Sequence, residues 1–219
     1  VYLIITFVHV KEKKSTGIIY IFGSLISILA VGLQLWVTLN TREVSILHAI
    51  IRFFSYFTIL TNSLVAIYFT YLWLFPTTKL GQFFKKFSTT TAVTVYILVV
   101  GIIYNVLLRN IWPVTGWGKL ADELLHSFIP IYFLVYWLFF TERKQLNWSD
   151  AIPWLYYPLA YLIYTLIRGT ITHTYPYPFV NVIKLGYQQT LMNCLGVGAV
   201  FYGLFLLMIA ISKKRTAPN

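Results

Sequence analysis

The sequence predicts an all-α polytopic membrane protein in which six transmembrane helices form one bundle. Of the 219 residues, 58% are hydrophobic and only 11% are charged. A soluble domain of this length could not bury so much apolar surface. The apolar residues fall into six segments of about 18 to 24 residues, and a membrane core needs about 20 residues of helix to cross it. The predicted spans are 17–39, 50–75, 91–108, 123–140, 151–168 and 190–212, within one domain covering 1–219.

Basic residues mark the ends of these spans and predict their orientation. Eleven of the seventeen lysines and arginines lie before the first span, between the second and third, between the fourth and fifth, or after the sixth. They are Lys11, Lys13, Lys14, Lys79, Lys85, Lys86, Arg143, Lys144, Lys213, Lys214 and Arg215. Cytoplasmic loops retain lysine and arginine, so we expect both termini in the cytoplasm of a cell-membrane protein. The connections 40–49, 109–122 and 169–189 are then outside.

Composition and motifs exclude several classes of function. The formal net charge of +11 follows the predicted topology, so it indicates membrane lipids rather than nucleic acid as a partner. The single cysteine, Cys194, excludes an intramolecular disulfide and a thiolate metal cluster. Sequence patterns of zinc peptidases, serine hydrolases and phosphate-binding loops are missing, and we expect no metal and no cofactor. The apolar residues 1–10 are too short to span a membrane and precede the basic residues, unlike a secretory signal.

Polar residues within the spans gather near the outer surface. In span two, Ser55, Thr58 and Asn62 have the i, i+3, i+7 spacing of one helical face, and Thr58 lies about 12 Å below the start of the span. In span four, His126 lies about 6 Å below the start, one turn after Asp122. The other polar residues at this side are Asn105, Arg109, Arg168 and Asn193. Such a cluster predicts a pocket that is open to the outside.

These residues also have ordinary structural explanations. A threonine in a membrane helix usually bonds to the carbonyl one turn back, and Asn62 could link two helices. Arg109 and Arg168 could extend to lipid headgroups. A buried histidine near the membrane surface is more often functional. Asp122 either accepts from the His126 ring and fixes its tautomer, or is a solvated carboxylate near a helix N-terminus.

Three short elements in this order resemble a known family. They are the segment 54–62, with sequence FSYFTILTN, the segment 125–130, with sequence LHSFIP, and the segment 175–179, with sequence YPYPF. Together they resemble bacterial relatives of the androgen-induced and androgen-dependent transmembrane proteins, and the resemblance covers all six spans. The eukaryotic members of that family are intramembrane threonine hydrolases that cleave fatty acid esters of hydroxy fatty acids.

The resemblance implies a site with a threonine nucleophile and a histidine base. Thr58 matches the nucleophile and His126 matches the base. The chain departs from the family at Leu124 and Leu125, where the relatives have further histidines, and Thr61 offers a second hydroxyl. The chemistry is coherent, because neutral imidazole can take the proton of a hydroxyl near neutral pH. The developing oxyanion would need donors, for which the side chains Asn62, Asn193 and Arg168 are candidates.

Two functions therefore remain open from the sequence. The first is an intramembrane lipid ester hydrolase acting on a hydrophobic ester near the outer leaflet. The second is a non-enzymatic protein that binds lipid or carries a small molecule. Six spans without internal repeats, mid-span Gly/Pro pairs or charges at the bilayer midplane lack the usual features of a carrier, which favours the hydrolase. The sequence assigns no protein partner.

Overall fold

The computed structural model describes residues 2–111, 113–142 and 144–216, with side chains from residue 16 to residue 214 apart from Trp112 and Arg143. Over these residues the chain is helical and contains no β-strand. Five of the basic residues behind the predicted orientation lie outside the described side chains: Lys11, Lys13, Lys14, Arg143 and Arg215.

The α-helices are described here in chain order. They are α1 (Tyr2–Asn40), α2 (Ile46–Phe53), α3 (Phe57–Leu74), α4 (Lys79–Lys85), α5 (Phe87–Ile103), α6 (Gly116–Glu123), α7 (Ile129–Phe139), α8 (Ala151–Trp154), α9 (Tyr156–Thr172) and α10 (Val182–Thr216). A first π turn (Tyr104–Leu108) continues α5, and a second π turn (Leu124–Phe128) joins α6 to α7. Short 3-10 turns cover Trp148–Asp150 and Pro178–Val180.

Four helical segments of the described chain are long and apolar enough to cross a membrane: Thr16–Asn40, Phe57–Leu74, Phe87–Leu108 and Val182–Lys214. Only 22% of the first and last of these segments is buried within the protein, so most of their apolar side chains are left to face lipid. These helices indicate an integral membrane protein. The regions predicted as spans four and five are helical but interrupted, by the second π turn and by Leu155 between α8 and α9.

The second predicted span begins later than the sequence indicates. We expected helix from residue 50, but α2 ends at Phe53 and α3 begins at Phe57. The amides of Ser55 and Tyr56 close the end of α2 by bonding to carbonyls three residues back, at 3.1 and 3.3 Å. The Ser55 hydroxyl donates to the Ile51 carbonyl at 2.6 Å. Ser55 therefore belongs to a turn, and the chain changes direction before α3.

The chain forms two compact units. The first contains residues 1–37 and 61–142, and the second contains residues 38–60 and 143–219. The single domain predicted from the sequence stays a prediction.

Aromatic side chains form the core of the first unit. Tyr68 and Phe69 of α3 are fully buried against Phe133 and Tyr136 of α7, with ring centroids between 5.1 and 6.1 Å apart. At the other end of α7, Gly101 of α5 permits a close approach. A Cβ atom at this position would lie 3.1 Å from the His126 carbonyl oxygen and 3.1 Å from the Pro130 side chain.

The second unit packs the start of α3 against α9 and α10. The Phe57 ring lies between 5.0 and 5.7 Å from the rings of Tyr157, Tyr161 and Phe201. Gly186 breaks the regular helix near the start of α10, with φ 74° and ψ 166°. A positive φ of this size favours glycine, because a Cβ atom is strained there.

Candidate functional site

Thr58 is buried in the first turn of α3, where it contacts Tyr177. The backbone N–H groups of a first helical turn have no acceptor within the helix. The Thr58 N–H donates to the Tyr177 hydroxyl oxygen at 3.2 Å. The Thr58 Oγ1 atom lies 3.4 Å from the same oxygen, which is long for a contact between two hydroxyl groups. Tyr177 thus contacts the oxygen that the sequence predicts as nucleophile.

The prediction that Ser55 shares a helical face with Thr58 and Asn62 is wrong, because Ser55 precedes α3. The predicted depth of Thr58 is also wrong with respect to its helix. Thr58 is the second residue of α3, within about 3 Å of the helix start along its axis. Thr58 and Asn62 keep their i, i+4 spacing within this helix.

Tyr177 is held by aromatic contacts and stays protonated. Its ring stacks on Phe179, with centroids 5.3 Å apart and planes 6° apart, and meets Tyr56 edge-on at 5.6 Å. Burial raises the pKa of the Tyr177 phenol to about 12. The neutral phenol accepts from the Thr58 N–H, so its own proton is available to the Thr58 Oγ1.

The turn before α3 is fixed by two tyrosines of α9. The Tyr161 hydroxyl donates to the Ser55 carbonyl at 2.9 Å. The Tyr164 hydroxyl lies 3.4 Å from Ser55 Oγ. Because Tyr161 binds the backbone and Tyr164 contacts the side chain of the residue three positions ahead of Thr58, α9 helps to place the start of α3.

The other predicted residues of the second unit have structural contacts of their own. The Asn193 Nδ2 donates to the carbonyl of Phe179 at 3.0 Å, and its Oδ1 accepts from Gln189 at 2.9 Å. Asn193 therefore supports the turn that carries Tyr177. An Arg168 Nη1 donates to the Thr174 carbonyl at 3.2 Å, which fastens the segment that follows α9.

His126 pairs with Asp122 in the first unit. The His126 Nδ1 atom lies 3.0 Å from Asp122 Oδ1 and 3.0 Å from the Asp122 backbone oxygen. Carboxylate and carbonyl oxygens only accept, so a neutral ring must carry its hydrogen on Nδ1. The lone pair is then on Nε2. The Asp122 side chain is only 11% exposed, which identifies it as a partner of the ring rather than a solvated carboxylate.

Tyr104 completes this arrangement and was missed by the sequence analysis. Its hydroxyl donates to Asp122 Oδ2 at 2.6 Å. Its ring is stacked on the His126 imidazole, with centroids 3.7 Å apart and planes 14° apart. Tyr104 lies eighteen residues before Asp122 at the end of an apolar span, so sequence spacing alone contains no signal for this contact.

Two asparagines hold the backbone around His126. In the second π turn the Ile129 N–H donates to the Leu124 carbonyl. In an α-helix it would donate to the Leu125 carbonyl, which therefore lacks its backbone donor here. Pro130 has no N–H for the His126 carbonyl. The Asn62 Nδ2 donates to the Leu125 oxygen at 3.2 Å. Asn105 of the first π turn likewise donates to the His126 oxygen at 3.1 Å.

An ion pair lies beside the histidine. Arg109 binds Glu123 through both guanidinium arms, at 2.5 and 2.9 Å. It also donates to Ser127 Oγ at 3.0 Å and, through Nε, to Asn105 Oδ1 at 2.8 Å. The predicted alternative of an arginine extended to lipid headgroups does not describe Arg109, which fastens the two π turns to each other.

The structure thus groups the predicted site residues into two sets. Thr58 and Asn193 lie in the second unit with Tyr177, and Arg168 lies in the same unit. His126, Asp122 and Asn62 lie in the first unit. Within the part of the chain that the structure describes, no three His, Cys, Asp or Glu side chains come together as a metal site would require.

Comparison of the chain with protein-family models, with curated proteins and with solved structures finds no match in any of the three.

Proposed function

We propose that this protein is an intramembrane threonine hydrolase that cleaves hydrophobic lipid esters, with Thr58 as the nucleophile and His126 as the base. The substrate class follows the resemblance of three sequence elements to hydrolases of fatty acid esters of hydroxy fatty acids. The chemistry rests on the side chains around the two residues. For the two to act together, Thr58 Oγ1 must come within reach of His126 Nε2, and this approach is part of the proposal.

The contact between His126 and Asp122 is the observation that carries the proposal. A histidine whose Nδ1–H is bound by a carboxylate has one tautomer and one orientation, with the basic lone pair on Nε2. This is what a general base for a hydroxyl nucleophile requires. A histidine with only a packing role gains no advantage from a buried carboxylate, because removing that charge from water is costly.

The contact with Tyr177 prepares Thr58 for attack. The Tyr177 phenol is protonated at neutral pH and its oxygen lies 3.4 Å from Thr58 Oγ1, where either hydroxyl can be the donor; in the proposed reaction the phenol donates. The proton of the Thr58 hydroxyl can then be directed to the base. The same phenol can stabilise negative charge that develops near Oγ1 during attack.

The proposed reaction has two halves. The Thr58 oxygen bonds to the ester carbonyl carbon while its proton passes to His126 Nε2, and the carbonyl oxygen becomes an oxyanion. Collapse of this intermediate breaks the bond to the alcohol, which takes the proton from His126 and leaves an acyl ester on Thr58. Water then attacks the acyl group with His126 again as base, which releases the acid and restores the threonine.

The proposal places this chemistry near the outer leaflet of a six-span protein. The helical run 116–139 would supply the fourth span and the run 151–172 the fifth. A helical run of about 24 residues extends roughly 36 Å, enough to cross the membrane core even with a π turn within it. The distribution of basic residues supports cytoplasmic termini. At this depth, water reaches the acyl intermediate while the acyl chain remains among apolar side chains.

Covalent labelling tests the proposal directly. The purified protein in lipid nanodiscs would be treated with a fluorophosphonate probe that carries an alkyl chain, and the modified residue would be mapped by mass spectrometry. We expect labelling at Thr58, its loss in Thr58→Ala, and its retention in the matched control Thr61→Ala. Hydrolysis of p-nitrophenyl esters of fatty acids should follow the same pattern.

Two outcomes would overturn the proposal. If the protein shows neither labelling nor hydrolysis across a series of acyl lengths, a non-enzymatic lipid-binding or carrier role is the better explanation. Labelling at Thr61 would support a hydrolase whose nucleophile is Thr61, on a different face of α3 from Thr58.

A further inference from the structure

We infer that Tyr104 is a positioning residue for His126, which it holds in one ring orientation against the Asp122 carboxylate. This inference rests on the proposed function, because it gives Tyr104 a role in presenting the base. Tyr104 acts on the imidazole in two separate ways. Its hydroxyl binds the carboxylate that binds the ring, and its own ring lies flat against the imidazole.

The hydroxyl of Tyr104 fixes the carboxylate. The last torsion of an aspartate side chain is broad and roughly two-fold, so a carboxylate with one partner can turn. Asp122 has a partner on each oxygen, with His126 Nδ1 at 3.0 Å from Oδ1 and the Tyr104 hydroxyl at 2.6 Å from Oδ2. The second bond is short because its acceptor is charged. Asp122 therefore keeps Oδ1 directed at the histidine.

The ring of Tyr104 fixes the imidazole. The ring torsion of histidine is also broad, and a hydrogen bond at Nδ1 alone allows the ring to rock about that bond. A parallel ring at 3.7 Å leaves no room for such rotation. Nε2 is therefore held in one direction.

The backbone holds Tyr104 itself. Tyr104 is 6% exposed and opens the first π turn, in which the Arg109 N–H bonds to the Tyr104 carbonyl at 2.8 Å. The Arg109 guanidinium carbon lies 5.5 Å from the centre of the Tyr104 ring. Asn105, the next residue, bonds to the His126 carbonyl. Adjacent residues of one π turn thus hold both the side chain and the backbone of His126.

Nitrogen NMR of histidine-labelled protein in nanodiscs tests the inference without using activity. At about pH 8 an ordinary histidine is neutral, and its two tautomers have distinct nitrogen shifts. The variant His126→Gln assigns the signal among the four histidines. We expect the Nδ1–H tautomer with sharp His126 nitrogen signals in the wild type, and a shifted and broadened Nδ1 signal in Tyr104→Phe, which keeps the ring and removes the hydroxyl that holds Asp122.

Kinetics supply the second readout. Tyr104→Phe should lower kcat for p-nitrophenyl ester hydrolysis about tenfold, the usual effect of losing a hydrogen bond to a charged group. KM should stay within about twofold, because Tyr104 is expected to act through His126 rather than on the substrate. Tyr132→Phe is the matched control. It also removes one tyrosine hydroxyl from the first unit, where that hydroxyl donates to the Ile19 carbonyl at 2.7 Å, and should change neither readout.

Unchanged His126 nitrogen shifts and line widths in Tyr104→Phe would overturn the inference, whatever the activity of the variant. The failure of the proposed function has a different signature. A wild-type protein without hydrolysis or labelling would overturn that function, while the NMR comparison would still decide whether Tyr104 holds the ring.

Discussion

The Asn62 side chain donates to the backbone carbonyl of Leu125, at 3.2 Å. This bond replaces one that the second π turn removes, because the Ile129 N–H goes to Leu124 instead. An unpaired buried carbonyl is costly, so Asn62 stabilises the irregular backbone that carries His126. Asn62 therefore has a structural role beside the histidine.

Removal of the proposed nucleophile should abolish hydrolysis, and removal of the proposed base should strongly reduce it. We expect no acyl transfer in Thr58→Ala, since it lacks the oxygen that carries the acyl group. His126→Ala should reduce kcat by about a hundredfold to ten-thousandfold, the usual contribution of a general base. The control Thr61→Ala, three residues further and about 300° around the helix, should retain activity. Wild-type rates in Thr58→Ala would contradict this prediction.

Disulfide formation can test the proposed approach of Thr58 to His126. In a Cys194→Ser background, the pair Thr58→Cys and His126→Cys should form a disulfide on mild oxidation. Cross-linking requires Cα atoms within about 7 Å. The matched control replaces Ile59 instead of Thr58, which moves the thiol about 100° around α3. Equal cross-linking of both pairs, or of neither, would count against a shared site.

Gly101→Ala should disturb the histidine through the backbone. The added methyl group would lie 3.1 Å from the His126 carbonyl oxygen and from Pro130, closer than most Cβ contacts. Overpacking of this kind costs about 1–3 kcal/mol, against a gain of about 1 kcal/mol in helix propensity. We expect a lower melting temperature and lower kcat. The control Gly196→Ala meets no atom within 4 Å among the described residues and gains the same helix propensity, so its melting temperature should not fall and its kcat should be unchanged.

Accessibility of introduced thiols should establish the orientation. In the Cys194→Ser background, Thr174→Cys should react with an impermeant maleimide on intact cells. Lys85→Cys should react only after permeabilisation. Both positions are exposed, so access depends on the side of the membrane rather than on burial. The opposite pattern would reverse the predicted topology and move the site to the inner leaflet.

Alkaline pH should weaken the contribution of Tyr177 to stability. Burial raises its pKa from 10.0 to about 12, so the neutral phenol is favoured in the folded protein. This contribution, on the order of 2 kcal/mol, is complete below pH 10 and is lost as the pH rises through about 12. The difference in melting temperature between wild type and Tyr177→Phe should therefore shrink between pH 10 and pH 12. A constant difference over that range would contradict burial of the phenol.

Apolar segment length predicts the helices well but not their interruptions. The residues between α2 and α3, Phe54, Ser55 and Tyr56, include no glycine or proline, so the sequence has no signal for the turn there. The pairing of Asp122 with His126 could be foreseen, because residues four apart lie on one side of a helix. The stacking of Tyr104 could not, because it depends on how α5 packs against the second π turn.

The sequence shows the proline, but not the side chain that replaces its missing N–H donor. Pro130 predicts that one carbonyl of its helix loses a donor. Which side chain replaces that donor depends on packing between helices, and in this structure it is Asn105. Similarly, the sequence marks Arg109 as a charged residue at a span end, while its ion pair with Glu123 requires the three-dimensional arrangement.

The two π turns have a consequence for how such a site can be inherited. A π turn holds one residue more than the α-helical turn that it replaces. Deletion of a single codon within 124–128 would therefore restore a regular helix, and the remaining residues of that turn would rotate by about 100°. The segment would still be helical, but His126 would lose its neighbours. A chain of this kind can gain or lose its histidine site by one small insertion or deletion while its fold persists.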